Sequence, residues 1–172
     1  LSLHDALPIC GELAGSVLVR SGVHLKDGTV VTGSLEGDIS TYENVRVSGN
    51  LKGGNLWVRS GVLRLTGNAE SFTRVSLGAT LESNGKLTGD LSNNGTLVLP
   101  VAGDRSLEIT GSFNTDGLVS LDLKNAEEFD CIKVGGIAAM DGRLVVTNLG
   151  KGLESGEVAQ LIEASTYIGE FA

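Results

Sequence analysis

The sequence predicts an all-β chain folded as a right-handed, parallel β-helix: a solenoid of about six or seven rungs with a C-terminal capping segment. Three observations predict this fold. Short segments alternate apolar and polar residues with a period of two, a triplet of an aliphatic residue, a small residue and glycine recurs, and Asn-Gly or Asp-Gly dipeptides separate the segments. No window longer than about ten residues keeps the 3.6-residue period of a helix.

The glycine triplet occurs six times: Val31-Thr32-Gly33, Val47-Ser48-Gly49, Leu65-Thr66-Gly67, Leu87-Thr88-Gly89, Ile109-Thr110-Gly111 and Val134-Gly135-Gly136. In each copy an apolar residue follows two positions after the last glycine: Leu35, Leu51, Ala69, Leu91, Phe113 and Ala138. The glycines are 16, 18, 22, 22 and 25 residues apart, which predicts a repeat of about 20 residues. If the repeats stack in phase, Gly67, Gly89 and Gly111 lie in one vertical file.

A second repeat has a longer offset. Val19-Arg20-Ser21-Gly22-Val23 returns as Val58-Arg59-Ser60-Gly61-Val62, 39 residues later and close to two repeats. Short alternating strands also occur in sandwiches and hairpins. A repeat of this length favours a coil instead, because three short strands with corners complete one turn and each turn rises by about 4.8 Å.

Composition sets the core and excludes several classes of protein. The chain has 172 residues, 41% of them hydrophobic, which is enough for one folded domain. Aromatic residues make up only 4%, so the core must consist of Val, Leu, Ile and Ala. The net charge of −8 argues against nucleic acid as a partner and against docking on an anionic membrane. No apolar run approaches the roughly 18 residues of a membrane helix, so direct membrane insertion is not expected.

Residues 1–9, Leu-Ser-Leu-His-Asp-Ala-Leu-Pro-Ile, resemble the translation of a common sequencing adapter. We therefore expect a fragment translated from a metagenomic read, with residues 1–10 as an artefact, 11–117 as β-helix rungs and 118–172 as the C-terminal stem or cap. His4 and Cys10 then carry no functional argument. Cys131 remains, either packed as a small hydrophobic residue, which we favour, or present as a free thiol.

The second half carries a series of short motifs in a fixed order: Asn93-Asn94-Gly95-Thr96-Leu97, Ser106-Leu107-Glu108-Ile109-Thr110-Gly111-Ser112-Phe113, Gly117-Leu118-Val119-Ser120-Leu121-Asp122-Leu123, Phe129-Asp130-Cys131-Ile132-Lys133-Val134-Gly135-Gly136, Asp141-Gly142-Arg143-Leu144-Val145-Val146, and then Gly156, Gln160-Leu161-Ile162-Glu163-Ala164 and Gly169-Glu170-Phe171. Together they resemble the C-terminal stem of autotransporter passenger β-helices. Val158 and Ala159 stand where that family usually has an aromatic residue. The resemblance implies a stem that caps the coil, helps it fold and continues into a translocator barrel outside this sequence.

No catalytic, cofactor-binding or metal site is predicted. Carboxylates are scattered rather than clustered: Asp104, Glu108, Asp122, Glu127, Glu128 and Asp130. Once His4 is set aside only His24 remains, so neither a His/Cys zinc cluster nor the usual base for a serine nucleophile is available. Trp57, Tyr42 and Tyr167 could serve as aromatic platforms but lie in different repeats, and Trp57 points outward if Leu56 and Val58 point inward. We predict that the chain is not an enzyme.

These observations predict the structural stem of a surface-displayed or secreted bacterial β-helix protein, with a spacer or adhesive role and a possible role as folding template. Its location would be extracellular, at the outer membrane surface, and its partners would be host or matrix glycans or proteins contacted by regions outside this chain. One alternative is a fragment of a carbohydrate-active lyase or hydrolase. A second is a filament-forming rod, because Gly33-Ser34-Leu35-Glu36-Gly37-Asp38-Ile39 is similar to the rungs of bactofilins.

Overall fold

The computed structural model describes residues 7–20, 22–100 and 105–172. The described part of the chain contains strands, turns and bends and no helix. Parallel strands stack into a β-solenoid of about six turns, which confirms the predicted fold class. The predictions that concern His4, Ser21 and Asp104 lie outside the described residues.

The described residues form twenty-one short strands, numbered here in chain order. The first eleven are β1 Leu7–Ile9, β2 Glu12–Leu13, β3 Ser16–Leu18, β4 Val23–Leu25, β5 Val30–Val31, β6 Ser34–Glu36, β7 Ile39–Thr41, β8 Asn44–Val47, β9 Asn50–Val58, β10 Gly61–Leu65 and β11 Asn68–Val75. The remaining ten are β12 Ala79–Ser83, β13 Lys86–Thr88, β14 Leu91–Asn93, β15 Thr96–Val98, β16 Ser106–Ile109, β17 Phe113–Thr115, β18 Leu118–Leu123, β19 Cys131–Met140, β20 Arg143–Asn148 and β21 Ile162–Gly169.

The strands form three faces, which the chain visits in the same order in every turn. Face 2 is an eight-stranded sheet with the order β2-β5-β8-β10-β12-β15-β18-β20. Faces 1 and 3 belong to one thirteen-stranded sheet, because β9, β11, β19 and β21 each pass from face 3 to face 1 through a corner. Face 1 holds β1, β4, β7, β14, β17 and the second halves of those long strands, and face 3 holds β3, β6, β13, β16 and their first halves.

Every ladder between these strands is parallel and in register from turn to turn. On face 1, Val23 is opposite Ile39 and Ile39 is opposite Leu56, so one turn takes 16 or 17 residues there. Later turns are longer: Leu91 is opposite Phe113, and Phe113 is opposite Ala138. The predicted repeat of about 20 residues is therefore an average over tight early turns and longer late ones.

The inward side chains fill one apolar column. All six apolar residues that follow the triplet glycines are buried, as predicted, and Val, Leu, Ile and Ala make up the rest of the apolar core except for Phe113. The buried residues also include the polar Thr41, Thr73, Ser83, Asn93 and Thr115. The column is continuous from Val23 on β4 to Ala138 on β19. At the ends it is less well covered, since Ile9 and Leu13 in the first turn and Leu144 and Ile162 in the last are only partly buried.

The described residues include no helix long and apolar enough to cross a membrane.

The triplet glycines stack in two files rather than one. Between faces 2 and 3, a Cβ on Gly33, Gly49, Gly67 or Gly85 would overlap the carbonyl oxygen of the glycine one turn below. Between faces 3 and 1, Gly89 lies over Ser71, Gly111 over Gly89 and Gly136 over Gly111. The prediction that Gly67 shares a file with Gly89 and Gly111 is wrong. Faces 2 and 3 both end in an inward aliphatic residue, an outward small residue and a corner glycine, so the two corners look alike in sequence.

The 39-residue echo has the same explanation. Gly22 precedes β4 on face 1, whereas Gly61 is the first residue of β10 on face 2. The residue two turns above Val23 is Leu56, not Val62. The echo therefore repeats a local corner pattern and does not mark equivalent positions two turns apart, contrary to the prediction.

Candidate functional site

Most charged side chains in the ladders of faces 2 and 3 have an opposite charge on a neighbouring turn; Arg46, which is opposite Arg64 on face 2, is an exception. On face 3, Glu36, Lys52 and Glu70 are in register, as are Lys86, Glu108, Lys133 and Glu163. The Lys86 Nζ to Glu108 Oε1 distance is 2.6 Å, and on face 2 Arg64 Nε lies 2.8 Å from Glu82 Oε2. Exposed pairs of this kind contribute about 0–1 kcal/mol each to stability. Their main effect is to favour the observed register between neighbouring strands.

Face 1 carries a different outward surface, in which cations stack on aromatic rings. We call it the face 1 ladder; its members are His24, Lys26, Tyr42, Trp57, Arg59, Phe72 and Arg74. Register places Ser40, Trp57 and Arg74 on three successive turns. The backbone amides of Tyr42 and Arg59 donate to the carbonyls of Leu25 and Thr41, which places Lys26, Tyr42 and Arg59 in a second, adjacent column.

The contacts within the ladder are close. Lys26 Nζ lies 4.1 Å from the centre of the Tyr42 ring, and the His24 ring meets the same ring edge-on at 5.4 Å. Arg59 Cζ lies 3.0 Å from the centre of the Trp57 ring. These distances are within the range of cation–π attraction, which is worth about 0.5–1 kcal/mol at exposed sites.

Arg74 extends the ladder by one turn. Its Cζ lies 5.3 Å from the Trp57 ring and 5.5 Å from the Phe72 ring. The Trp57 indole is fixed from its other end, because its Nε1 donates to Ser76 Oγ over 2.8 Å. The rings therefore hold the two guanidinium groups in defined positions on the surface.

The ladder cations are not neutralised by carboxylates. Among residues 7–20, 22–100 and 105–172, Lys26, Arg59 and Arg74 take part in no ion pair within 4.0 Å. Asp38, at the adjoining corner, accepts hydrogen bonds from the backbone and side-chain nitrogens of Asn55 at 3.0 and 3.3 Å. The buried Nε of Arg59 has no hydrogen-bond acceptor. Face 1 is therefore a locally cationic strip on a chain of net charge −8.

A shallow groove of about 310 Å³ lies along the ladder. Trp57, Arg59, Phe72 and Arg74 line it together with Ser40, Asn55 and the Asp38 carboxylate, whose Oδ1 accepts the hydrogen bonds from Asn55. Apolar ring edges beside a few polar and charged groups are typical of ligand-binding surfaces. No catalytic pair of acid and base is part of this groove.

Trp57 points outward between the buried Leu56 and Val58, as predicted. Tyr42 and Trp57 do belong to different repeats, but stacking brings them to one face, with Arg59 in register with Tyr42 and against the Trp57 ring. Tyr167 lies on the last turn, opposite Ala138, and is not part of the ladder. Sequence reasoning missed the ladder; the signal was that Ser40 to Trp57, Tyr42 to Arg59 and Trp57 to Arg74 are each one early turn apart.

The scattered carboxylates that the structure describes, which are Glu108, Asp122, Glu127, Glu128 and Asp130, do not line the groove of the ladder. Asp130 is buried; its Oδ2 accepts a hydrogen bond from the Asp122 amide at 2.7 Å, and its Oδ1 lies 3.8 Å from Arg105 Nη1. Burial raises the pKa of the Asp130 carboxyl, whereas a hydrogen bond from Lys124 lowers the pKa of Glu128. No group of three His, Cys, Asp or Glu side chains within the described ranges could hold a metal ion.

Neither cysteine is in a disulfide: Cys10 is exposed and Cys131 is partly buried. Burial raises the pKa of the Cys131 thiol, which disfavours the reactive thiolate. Cys131 is the first residue of β19 and stands between buried Asp130 and inward Ile132, so it is a free thiol on a partly covered outer surface rather than a core residue.

Comparison of the chain with protein-family models, with curated proteins and with solved structures finds no match.

Proposed function

We propose that this chain is the structural stem of a surface-displayed or secreted bacterial β-helix protein, a spacer that holds other regions of that protein away from the cell. The observation that carries the proposal is the continuous apolar column from Val23 to Ala138. A column without a break makes the coil one mechanical unit, and six turns at about 4.8 Å each give a rod of roughly 30 Å.

The motif order between Asn93 and Phe171 supports the more specific interpretation as an autotransporter-like stem. Such a stem would also help the preceding coil to fold. In this chain the late turns are the longest, and the contacts between β19 and β21 join the last turn to its neighbour over seven residue pairs. A stable terminal turn offers strand edges on which the next turn can assemble.

The test is surface display. The full chain, with an epitope tag at its N-terminal end, is fused ahead of a heterologous outer-membrane translocator and expressed in Gram-negative cells. We expect the tag to be accessible to antibody on intact cells, and to be lost in the core variant Leu63→Asp, which cannot form the column. If the purified wild-type chain is folded by circular dichroism but never reaches the surface, the stem proposal is wrong.

A filament-forming rod is the second candidate, favoured by the partly exposed apolar side chains of both end turns. Open strand edges at the two ends could pair between copies. Concentration-dependent sedimentation of the purified chain would support this alternative, and a monomer at every concentration would exclude it.

A further inference from the structure

We propose that the face 1 ladder binds an acidic polysaccharide, a sugar polymer that carries carboxylate groups. This goes beyond the stem function, since a spacer needs no ligand on its side. The faces differ in the partners of their cations. On faces 2 and 3, Lys52, Arg64, Lys86 and Lys133 lie in register with carboxylates of neighbouring turns, whereas Arg46, opposite Arg64, and Arg143, opposite Leu118, break this pattern. On face 1, Lys26, Arg59 and Arg74 are opposite rings or hydroxyl groups.

The rings prepare the cations for a ligand. A free arginine side chain loses conformational entropy when it binds a carboxylate, and this loss weakens binding. Here the Trp57 ring already holds Arg59 at 3.0 Å, and Arg74 is positioned between Trp57 and Phe72. A guanidinium that stacks on a ring keeps its N–H donors at its edge, where a planar carboxylate can accept two hydrogen bonds.

The shape of the groove suits a polymer. Arg59 lies two turns after Lys26, with Tyr42 on the turn between them, and Arg74 lies one turn after Arg59, so the three cations form a strip along the solenoid axis. Ser40 and Asn55 beside the strip can exchange hydrogen bonds with sugar hydroxyls, and the edges of Trp57 and Phe72 can contact the apolar faces of sugar rings.

Nucleic acid fits this strip less well. Affinity for nucleic acid comes mainly from many Lys and Arg contacts with phosphates, and the strip has three cations on a chain of net charge −8. Single-stranded DNA therefore serves as a comparison ligand in the test.

The experiment titrates the purified full chain with polygalacturonate, and separately with neutral dextran and with a single-stranded DNA oligonucleotide, by calorimetry at low and moderate salt. We expect binding to polygalacturonate that weakens with salt, no binding to dextran, and weaker binding to DNA. The double variant Arg59→Gln/Arg74→Gln should raise the Kd at least about tenfold, because two charge-assisted contacts are lost.

The control is Arg46→Gln, which removes one positive charge, half of what the double variant removes, from an exposed outward arginine on face 2. Its Kd should stay within about twofold of the wild type, since one distant surface charge is largely screened. Trp57→Leu should weaken binding although it removes no charge. The proposal is overturned if no polymer binds, if dextran or DNA binds as well as polygalacturonate, or if Arg46→Gln weakens binding as much as the double variant. Circular dichroism melting of each variant excludes misfolding as the cause.

Discussion

Gly67 lies directly over Gly49 at the corner between faces 2 and 3, so closely that a Cβ on Gly67 would overlap the carbonyl oxygen of Gly49. The backbone dihedrals at Gly67 are not the reason that glycine is needed there, since its φ is not in the left-handed region. The close approach of two turns is the reason. The same relationship joins Gly49 to Gly33 and Gly85 to Gly67, so one file of glycines sets how tightly the early turns stack.

Gly67→Ala should therefore destabilise the chain by about 2–3 kcal/mol, because the added methyl group has to push two turns apart. The control is Gly54→Ala, where the nearest atom to an added Cβ is the Asp38 Oδ1 at 3.0 Å, at the end of a side chain that can move. Urea unfolding followed by circular dichroism gives both free energies. Equal effects of the two substitutions would contradict the stacking of Gly67 on Gly49.

The inward and outward positions can be compared with a pair of identical substitutions. Leu63 on β10 is fully buried between Val45 and Leu81 of the neighbouring turns, whereas Leu77 is 87% exposed at a corner. Leu63→Ala should cost about 3 kcal/mol through lost burial and the cavity that remains. Leu77→Ala should change the free energy of unfolding by less than about 0.5 kcal/mol. A large loss of unfolding free energy in Leu77→Ala would mean that the Leu77 side chain is covered in solution.

Asn93 is a buried polar residue whose side chain is fully used. Its Nδ2 donates to Thr115 Oγ1 at 3.0 Å and to the Leu118 carbonyl at 3.2 Å, and its Oδ1 accepts from the Gly95 amide at 3.2 Å. Asn93→Ala should destabilise by about 2 kcal/mol or more, because it leaves buried partners unsatisfied. Asn114→Ala, at an exposed position one residue before Thr115, should be nearly neutral. Thermal melts of the two variants, followed by circular dichroism, give the comparison.

The acid–base behaviour of Asp130 predicts an unusual pH dependence. Because burial raises its pKa, the native state holds a proton more tightly than the unfolded chain. Between the ordinary aspartate pKa and the raised value the native state then binds more protons, so the contribution of this group to stability falls as pH rises. Asp130→Asn should remove that fall from the curve of unfolding free energy against pH, measured between about pH 4 and 7.

Glu128 supplies the opposite case on the same segment. Its hydrogen bond with Lys124 lowers its pKa, so the stability it contributes is present above the ordinary glutamate pKa and is lost as pH falls through the lowered value. Glu128→Gln should therefore change the curve in the opposite sense from Asp130→Asn, and only weakly, because the group is exposed. Shifts of the same sign in both variants would contradict this assignment.

The parts of the fold that depend on local patterns were predictable from the sequence. Alternation such as Leu63-Arg64-Leu65 identifies which side chains point inward, and the apolar residue two positions after each corner glycine is buried in all six copies. The corner of the coil to which each glycine belongs was not predictable. The corners after faces 2 and 3 have the same local pattern, and only the register of distant strands shows that Gly67 and Gly89 belong to different corners.

The face 1 ladder was missed for the same reason. Tyr42 and Trp57 are fifteen residues apart, and nothing local indicates that Arg59 follows Tyr42 by one turn and lies against Trp57. The early turns of 16 or 17 residues would have placed them together, but averaging over the longer late turns hid that length.

The most direct test of the central claim, parallel in-register stacking, is disulfide cross-linking on face 2. In a background with Cys10→Ser and Cys131→Ser, the pair Arg64→Cys/Glu82→Cys joins residues that are opposite each other in the ladder of β10 and β12, while Arg64→Cys/Thr80→Cys joins diagonal positions. Cysteines whose Cα atoms lie beyond about 7 Å cannot be bridged without backbone movement. Under mild oxidation, parallel stacking predicts a cross-link, identified by peptide mass, between positions 64 and 82 and little between 64 and 80. An antiparallel pairing of these strands would give the reverse, and that result would contradict the solenoid.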